Sequence, residues 1–536
     1  MPLAALAPRC GAEARGARWP EMLYLSASAS GNARRMAIPQ RVLHSDRAFC
    51  TSSCAFLKRR RARTRADLPP PCAVLASDTF PLPRIGIAMP IDDATPACPG
   101  TLRSRARPWR IASAAAFAIA LSACGERAQL LANEDSGATP KIVAPEQRLI
   151  PTIDIAPAVG WSASSLPVAA DGWKVTAFAR DLSHPRWLHV LPNGDVLVAE
   201  SNAPPGKSGI RGLRGAIMGS VMKRAGAGVS SADRITLLRD ADGDGRAETR
   251  SVLLDGLHSP FGMALVEDTL YIANADALVR VPYAVGDTRI DAAPVKLFDL
   301  PGKGDDLNHH WTKSLLASAD GSRLYIGVGS NSNVGENGMA AEAGRASIWE
   351  FDLRSGKGRV FASGLRNPVG LAWQPASGAL WTVVNERDEL GSDLVPDYLT
   401  EVREGAFYGW PYRYYGRPDP RAPAPPQGGA PPPAILPDFA LGSHVAPLGL
   451  AFDASGAYIG LHGSWNRTPL NGYKVVFVPF SAGRPQGAMQ DILTGFVDDA
   501  GNARGRPAGV AIDARGGVLV ADDVGNAVWR VSAMPR

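Results

Sequence analysis

Apolar and polar residues alternate in short runs through most of the chain, and one such pattern recurs six times. Each copy has a polar residue, usually Pro and Gly, then an apolar run, a turn and a second apolar run. The copies begin at His184, Ser259, His310, Asn367, Ala446 and Arg506, about 50 to 80 residues apart, and the third lacks the Pro and the Gly. This spacing fits blades of four short antiparallel strands. The pattern therefore predicts an all-β chain folded as a six-bladed β-propeller.

The residues just before each copy carry the candidate chemistry. In a propeller the innermost strands line the central channel, so the residues that precede them converge at one mouth of it. These residues are His184, Arg186, His258, Ser259, His309, His310, Arg366, Asn367, His444 and Arg506, and they include five of the eight histidines. Such a ring of His and Arg predicts a site for an anion and a proton acceptor.

The N-terminal region has a different pattern. Residues 1–88 show no sustained helix or strand period, which favours a disordered leader or a start codon assigned too far upstream. After Met89, four arginines precede an apolar run of about 13 residues that ends at Cys124. That arrangement is typical of an export signal, and the run is shorter than the roughly 20 residues of a membrane span.

The four residues Leu121 to Cys124 resemble the lipobox of bacterial lipoproteins, in which the cysteine is acylated and becomes the mature N-terminus. The resemblance implies a signal peptide over residues 89–124 and a protein held in the periplasm through Cys124. We then expect residues 125–160 to be a flexible tether and residues 161–536 to form the propeller. On this interpretation the lipid anchor is the protein's only contact with the membrane.

Charge and cysteine content narrow the function further. The net charge is +6, but residues 1–124 carry 18 basic and 7 acidic side chains, a balance of +11, so the remainder carries −5. A domain with that balance lacks the cationic surface that nucleic acids require. All six cysteines occur at or before Cys124, which excludes disulfides and thiolate metal sites from the propeller.

Several stretches resemble the soluble quinoprotein glucose dehydrogenase and L-sorbosone dehydrogenase family, over roughly residues 165–534. The stretches are Gly364-Leu-Arg-Asn-Pro-Val-Gly-Leu-Ala-Trp, Val384-Asn-Glu-Arg-Asp-Glu-Leu-Gly-Ser-Asp, Phe407-Tyr-Gly-Trp-Pro, Asn308-His-His-Trp, His462-Gly-Ser-Trp-Asn-Arg and Ala521-Asp-Asp-Val-Gly-Asn-Ala-Val-Trp-Arg-Val. The resemblance implies oxidation of a sugar or sugar aldehyde, with hydride transfer to pyrroloquinoline quinone (PQQ) beside a Ca²⁺ ion.

The resemblance also implies roles for particular residues. His310 matches the histidine that accepts the substrate proton, while His309 stands where relatives often have an acidic residue, so the choice of base between the two histidines stays open. Arg366 and Asn367 match an Arg-Asn pair near the quinone oxygens, with Arg366 also taking part in catalysis. Arg467 matches an arginine that binds a cofactor carboxylate. His309 and, by its position in the ring, Arg506 complete the expected cofactor-binding set.

Two calcium sites are expected. Relatives hold the ion beside PQQ with backbone carbonyls of a Gly-Pro, but here the corresponding residues are Glu386-Arg387-Asp388, so Glu386 or Asp388 is expected to bind it as a carboxylate. A second signal does not depend on the family. The loop with Asp240, Asp242, Asp244 and Glu248 has oxygen ligands at alternate positions around a Gly, as in an EF-hand loop, although Ser251 replaces the usual acidic twelfth residue.

Two other functions compete with the dehydrogenase. A calcium-dependent lactonase can use a six-bladed propeller, but it would need carboxylates and amides where this ring has His and Arg. A non-catalytic propeller that binds sugars or proteins is the third possibility. The sequence leaves open which sugar is oxidised, which acceptor takes the electrons and the oligomeric state.

Overall fold

The computed structural model describes residues 126–148, 152–204, 219–302, 309–425 and 429–534. The predictions for residues 1–124, including the anchor at Cys124, lie outside the described residues. The regular secondary structure of the described part is almost entirely strand, with helical residues only at 219–227 and at Met339–Glu342. None of its helices is both long and apolar enough to cross a membrane.

The described strands form six antiparallel blades and one separate two-stranded sheet, which confirms the six-bladed propeller. Three strands precede the first blade, namely β1 (Ser136–Gly137), β2 (Val168–Ala169) and β3 (Trp173–Ala179). Blade 1 contains β4 to β7, which are Pro185–Val190, Val196–Glu200, Arg234–Arg239 and Thr249–Leu254. Blade 2 contains β8 to β11, which are Met263–Val266, Thr269–Ala273, Ala277–Pro282 and Val295–Asp299. Blade 3 contains β12 to β15, which are Lys313–Ala317, Arg323–Val328, Ser347–Asp352 and Lys357–Ser363.

The later blades take strands from distant parts of the chain. Blade 4 contains β16 (Pro368–Trp373), β17 (Leu380–Val384), β18 (Pro396–Glu401) and β21 (Phe439–Ser443), with β1 added at its edge. Its third loop carries a hairpin of β19 (Arg413–Tyr414) and β20 (Arg417–Pro418). Blade 5 contains β22 (Pro447–Phe452), β23 (Gly456–Leu461), β24 (Lys474–Ser481), β25 (Arg484–Pro485) and β26 (Gln490–Thr494), with β2 at its edge. Blade 6 contains β27 (Pro507–Ile512), β28 (Val518–Asp522), β29 (Ala527–Ala533) and β3.

The ring is closed by strand pairing between the two ends of the domain. Strand β3, which precedes blade 1 in sequence, pairs antiparallel with β29, the last strand, so that Val175 lies opposite Val531. The six innermost strands β4, β8, β12, β16, β22 and β27 contact one another in that order, and β27 returns to β4. Apolar clusters fill the space between each pair of neighbouring blades. The blades are therefore held together by hydrophobic packing and one hydrogen-bonded closure.

The alternating strand directions define two faces of the propeller. The first and third strands of each blade begin at the channel mouth, and the second and fourth end there, because neighbouring strands are antiparallel. Loops between second and third strands, and loops between blades, therefore lie on what we call the mouth face. Turns between first and second or third and fourth strands lie on the opposite face, except that the long loop between β18 and β21 returns to the mouth face, where Asp419 pairs with Arg387. Trp187, Phe261, Val369, Leu448 and Ala508 belong to one apolar cluster that fills the channel below the mouth.

The segment expected to be a flexible tether instead packs on the mouth face. Glu146 N donates to Leu390 O at 2.8 Å, and Ala128 N donates to Thr468 O at 2.7 Å. Ile142 and Val143 pack against a buried cluster that contains Leu390. Because backbone hydrogen bonds and apolar contacts both fix it, the segment from residue 126 is part of the propeller's surface rather than a free linker.

Candidate active site

His310 lies at the channel mouth, just before β12. Its Nδ1 lies 2.9 Å from the carbonyl oxygen of Ser330 and 3.1 Å from Ser330 Oγ. Since a carbonyl oxygen can only accept, Nδ1 carries the hydrogen and Nε2 keeps its lone pair. Burial, together with the neighbouring His309 and Arg366, lowers the pKa of His310 well below its ordinary value. The ring is therefore neutral at neutral pH and can accept a proton at Nε2.

His309 lies beside His310 but in a different environment. The two ring centroids are 4.6 Å apart and the rings meet edge to face at 81°. The His309 side chain is exposed, although the surrounding protein and Arg366 lower its pKa. It is therefore accessible to a molecule in the mouth, whereas Ser330 fixes the orientation of His310.

Gly329, directly after β13, allows blades 3 and 4 to approach each other at the site. A Cβ atom on Gly329 would overlap both Asn367 Oδ1 and the Cβ atom of His310. Asn367 Oδ1 is also buried without a hydrogen-bond partner. An unpartnered buried amide oxygen is costly in a folded protein, so this atom is a candidate contact for a bound molecule.

Arg366 is held by several protein oxygens at once. Its Nη2 donates to Asp388 Oδ2 at 2.8 Å, and its Nη1 donates to Glu386 O at 2.5 Å. His444 Nδ1 lies 3.5 Å from the other Asp388 oxygen, and His444 Nε2 lies 2.9 Å from Gly391 O. Burial raises the pKa of Asp388, but Arg366 and His444 outweigh this and lower it below its usual value. Burial opposes the charge of His444, yet Asp388 raises its pKa.

The expected metal ligand Glu386 lies next to this network. Burial raises the pKa of Glu386 to about 8, and burial likewise raises that of Asp397 to about 7. Asp397 Oδ1 accepts the backbone N–H of Glu386 at 2.7 Å. Glu386 thus holds a proton at neutral pH in the absence of a cation, and a Ca²⁺ ion at this carboxyl would have to displace it.

A second charged cluster forms the opposite wall, where blades 1, 5 and 6 meet. Asp523 is buried and accepts from Arg186 Nη1, while His462 Nε2 lies 2.8 Å and His184 Nε2 3.8 Å from its Oδ2. Burial raises the pKa of Asp523, but the two histidines and Arg186 hold it well below its ordinary value.

Sequence reasoning placed Arg186 and His184 in the ring but did not assign His462 or Asp523 to the site. These residues follow the second strands of blades 5 and 6, which also end at the mouth. A rule that included the ends of second strands would have found them.

The structure places Arg467 and Arg506 in protein contacts at the rim. Arg467 Nη1 donates to Ser392 O at 2.5 Å and lies 3.3 Å from Asp393 Oδ1. Arg506 Nη2 donates to the Tyr473 hydroxyl at 3.2 Å, and its guanidinium lies 4.9 Å from the Tyr473 ring centroid. Both side chains therefore stabilise loops that surround the mouth.

The predicted EF-hand-like loop folds as a compact acidic turn between β6 and β7. Ligand atoms of Asp240, Asp242, Asp244 and Glu248 all lie within 4.8 Å of one another, and this is the one such group found among the described residues. Arg515, in the turn between β27 and β28, lies 3.0 Å from Asp240 Oδ2 and links blades 6 and 1. The loop is on the opposite face of the propeller, so an ion there would act on stability rather than on chemistry.

The residues at the mouth fit PQQ, an anionic cofactor with several carboxylates and quinone oxygens. The buried Arg186 Nε and Asn367 Oδ1 have no partner within the described structure, and His309 is accessible beside them. Two arginines on facing walls provide the donors and positive charge that such a molecule requires, while His310 and the amide oxygen of Asn367 provide acceptors.

Comparisons with known proteins show what the chain is similar to. A sequence profile of the TrAA12-like family matches residues 167–398 and 432–534. A PQQ-dependent pyranose dehydrogenase of Coprinopsis cinerea is 27% identical over 290 residues. The match covers 42% of this chain and 40% of that protein's length. An uncharacterised protein of Borreliella burgdorferi is 26% identical over 302 residues, 51% of this chain and 76% of that one. The calcium structure of a Trichoderma reesei enzyme of carbohydrate-active family AA12 superposes with a TM-score of 0.56 at 20% identity, covering 72% of this chain and 99% of that chain.

Proposed function

The chain belongs to the TrAA12-like family of PQQ-dependent sugar dehydrogenases, and on that premise we propose that it oxidises a sugar or sugar aldehyde of the aldose or sorbosone type. The proposed site is the channel mouth, and the proposed location is the periplasm, with the protein anchored through Cys124. When bound there, PQQ supplies the hydride acceptor. The fixed orientation of His310 is the observation that supports this proposal most directly.

His310 is proposed as the general base. Ser330 O accepts the Nδ1 hydrogen, so Nε2 can take the proton of the substrate hydroxyl while hydride leaves the carbon that bears this hydroxyl, and the C–O bond becomes a carbonyl. Its lowered pKa keeps the base unprotonated in mildly acidic solution. His309 is exposed and less constrained, which favours a role in contacting the substrate or cofactor.

The arginines and Asn367 are proposed to hold the anionic cofactor. Asn367 offers its unpartnered amide oxygen as an acceptor, and Arg366 places a fixed positive charge next to His310. Arg467 and Arg506 support the same site by fixing the loops of blades 4 to 6.

Calcium is proposed at two places with different roles. An ion near Glu386 and Asp388 would lie beside the cofactor, and carboxylates are ligands that Ca²⁺ prefers. The compact cluster around Asp240 supports a second, structural ion. The Trichoderma relative, whose structure is described as a calcium structure, is consistent with either site.

The decisive experiment compares His310→Ala with the matched variant His309→Ala. Purified protein is titrated with PQQ in the presence of Ca²⁺ while dye reduction is followed with a panel of sugars. We expect His310→Ala to bind PQQ normally but to lose turnover by about 10² to 10⁴, the usual contribution of a positioned base. We expect His309→Ala to change KM more than kcat.

Two results would contradict the proposal. Full turnover in His310→Ala with a large loss in His309→Ala would transfer the role of base to His309. Hydrolysis of a lactone without PQQ, together with no sugar oxidation by the wild-type protein, would replace the dehydrogenase by the lactonase.

A further inference from the structure

The first described residues bring the chain onto the mouth face. Glu126 O accepts the Ser392 hydroxyl at 2.8 Å, and Ala128 N donates to Thr468 O at 2.7 Å. Ser392 precedes β18, and Thr468 lies between β23 and β24. Both loops belong to the mouth face by the strand directions, so the N-terminal segment is fixed at the rim of the site.

This position constrains the proposed anchor. Residue 124 is two residues before Glu126, and an extended chain spans at most about 3.5 Å per residue. A lipid attached at Cys124 would therefore lie within about 7 Å of the rim along the chain. A tether that short brings the mouth face, rather than the far face, to the bilayer.

Exposed apolar side chains lie on the same face. They lie in the N-terminal segment (Leu131, Ile153 and Val159) and in the loop between β5 and β6 (Met222 and Val229). Leu131 is the most exposed at 74%. The exposed basic residues Lys223 and Arg224 follow Met222 directly. Apolar side chains next to basic ones are typical of surfaces that lie in the lipid headgroup region.

The opposite face has a different character. Its exposed large apolar residues include Val285 and Met534, and it carries the exposed acidic groups of Asp242, Asp244 and Glu248. Exposed Arg246, Arg289 and Arg354 lie on the same face and offset this acidic charge. The exposed apolar residues, rather than the charge, thus distinguish one face from the other.

We propose that the mouth face of the propeller lies on the membrane surface, with Leu131, Val159 and Met222 in the interface. This adds a protein contact to the lipid anchor, which the sequence alone predicted as the only membrane contact. The inference rests on the anchor in the proposed function. The redox site then opens towards the bilayer, and the acidic loop faces away from it.

Single-cysteine labelling tests this orientation cleanly, because every natural cysteine occurs at or before Cys124. Leu131→Cys and Val159→Cys report on the mouth face, and the matched variants Val285→Cys and Met534→Cys report on the opposite face. Each full-length variant is exported, processed, reconstituted into phosphatidylethanolamine and phosphatidylglycerol vesicles, and labelled with a polarity-sensitive dye. We expect a blue-shifted emission and quenching by lipid-borne quenchers at the two mouth-face positions only.

Equal quenching on both faces, or none on either, would overturn the orientation. Release of the protein from membranes in the wild type would remove the anchor and overturn it as well. Dye-linked sugar oxidation measured on the same samples distinguishes these outcomes from failure of the proposed chemistry, since none of the four labelled residues touches the site. Activity with equal quenching would reject the orientation alone.

Discussion

The absence of a side chain at Gly329 allows two residues of the site to approach each other. His310 and Asn367 occupy the space that a Cβ atom would need, and they come from neighbouring blades. Neither backbone strain nor a turn requires glycine here, since no positive φ occurs at this position. The close approach of two functional side chains is the reason for it.

We therefore predict that Gly329→Ala lowers turnover at least about tenfold, because His310 or Asn367 must move, with a stability loss of about 1–3 kcal/mol typical of overpacking. Steady-state kinetics and thermal unfolding measure the two effects. Gly429→Ala is the matched control, since a Cβ there meets nothing within 4 Å. Unchanged kinetics in Gly329→Ala would show that the two side chains have room to adjust.

Some residues of the site could be predicted from the sequence and others could not. His310, Arg366 and Asn367 could be found because they precede repeated apolar runs. His462 and Asp523 were missed because only the starts of the inner strands, and not the ends of the second strands, were searched for site residues. The buried contacts of Arg467 with Asp393 depend on loops that meet only after folding, so sequence position alone could not reveal them.

At the scale of elements, the loop between β6 and β7 makes the clearest case for a bound ion. Its carboxylates are stabilised by backbone donors, such as Gly243 N to Asp240 Oδ1 at 2.7 Å, yet four of them share one small region. Carboxylates this close repel one another even though Arg515 pairs with Asp240, and a divalent cation removes that repulsion.

We predict that Asp242→Ala combined with Asp244→Ala removes most of the stabilisation by added Ca²⁺ at this loop. Ligand binding to the native state raises stability by RT ln(1 + [L]/Kd), about 2.7 kcal/mol at one hundred times Kd. Melting curves with Ca²⁺ and with a chelator measure the change, and Asp287→Ala with Asp291→Ala in another turn on the same face is the control. If parent and double variant respond identically to Ca²⁺, the loop is an ordinary acidic turn.

The sequence predicted the repeated strands but not the irregular ones. All six inner strands follow from the repeated pattern, because each of them packs in the same way at the centre of its blade. The pairing of β1 and β2 with blades 4 and 5 did not follow, since strands of two residues have no detectable period. The packing of the segment after residue 125 could not be predicted either, because its polar composition suggested a flexible tether.

For the whole molecule, the closure of β3 on β29 is the contact that makes a ring out of six blades. Lys174 lies opposite Ser532 in this pair, and neither is buried. Opposite residues in antiparallel strands have Cα atoms about 4.5–5.5 Å apart, a separation that a disulfide can bridge.

We predict that Lys174→Cys with Ser532→Cys forms a disulfide that raises stability by up to about 5 kcal/mol, because it removes the entropy of a very long open loop. Thermal unfolding of the oxidised and the reduced forms measures the gain, and Lys174→Cys alone is the control. Equal melting temperatures of the two forms would contradict the predicted entropic gain.

The same closure determines when the molecule can fold during its synthesis. Ala179, the last residue of β3, leaves the ribosome 348 residues before Ala527, the first residue of β29. At about 5–20 residues per second, β3 waits roughly 20 to 70 seconds for its partner. Until then its edge is open to pairing with other chains. The propeller therefore cannot close until its last strand is made, and one strand edge stays unpaired through most of its synthesis.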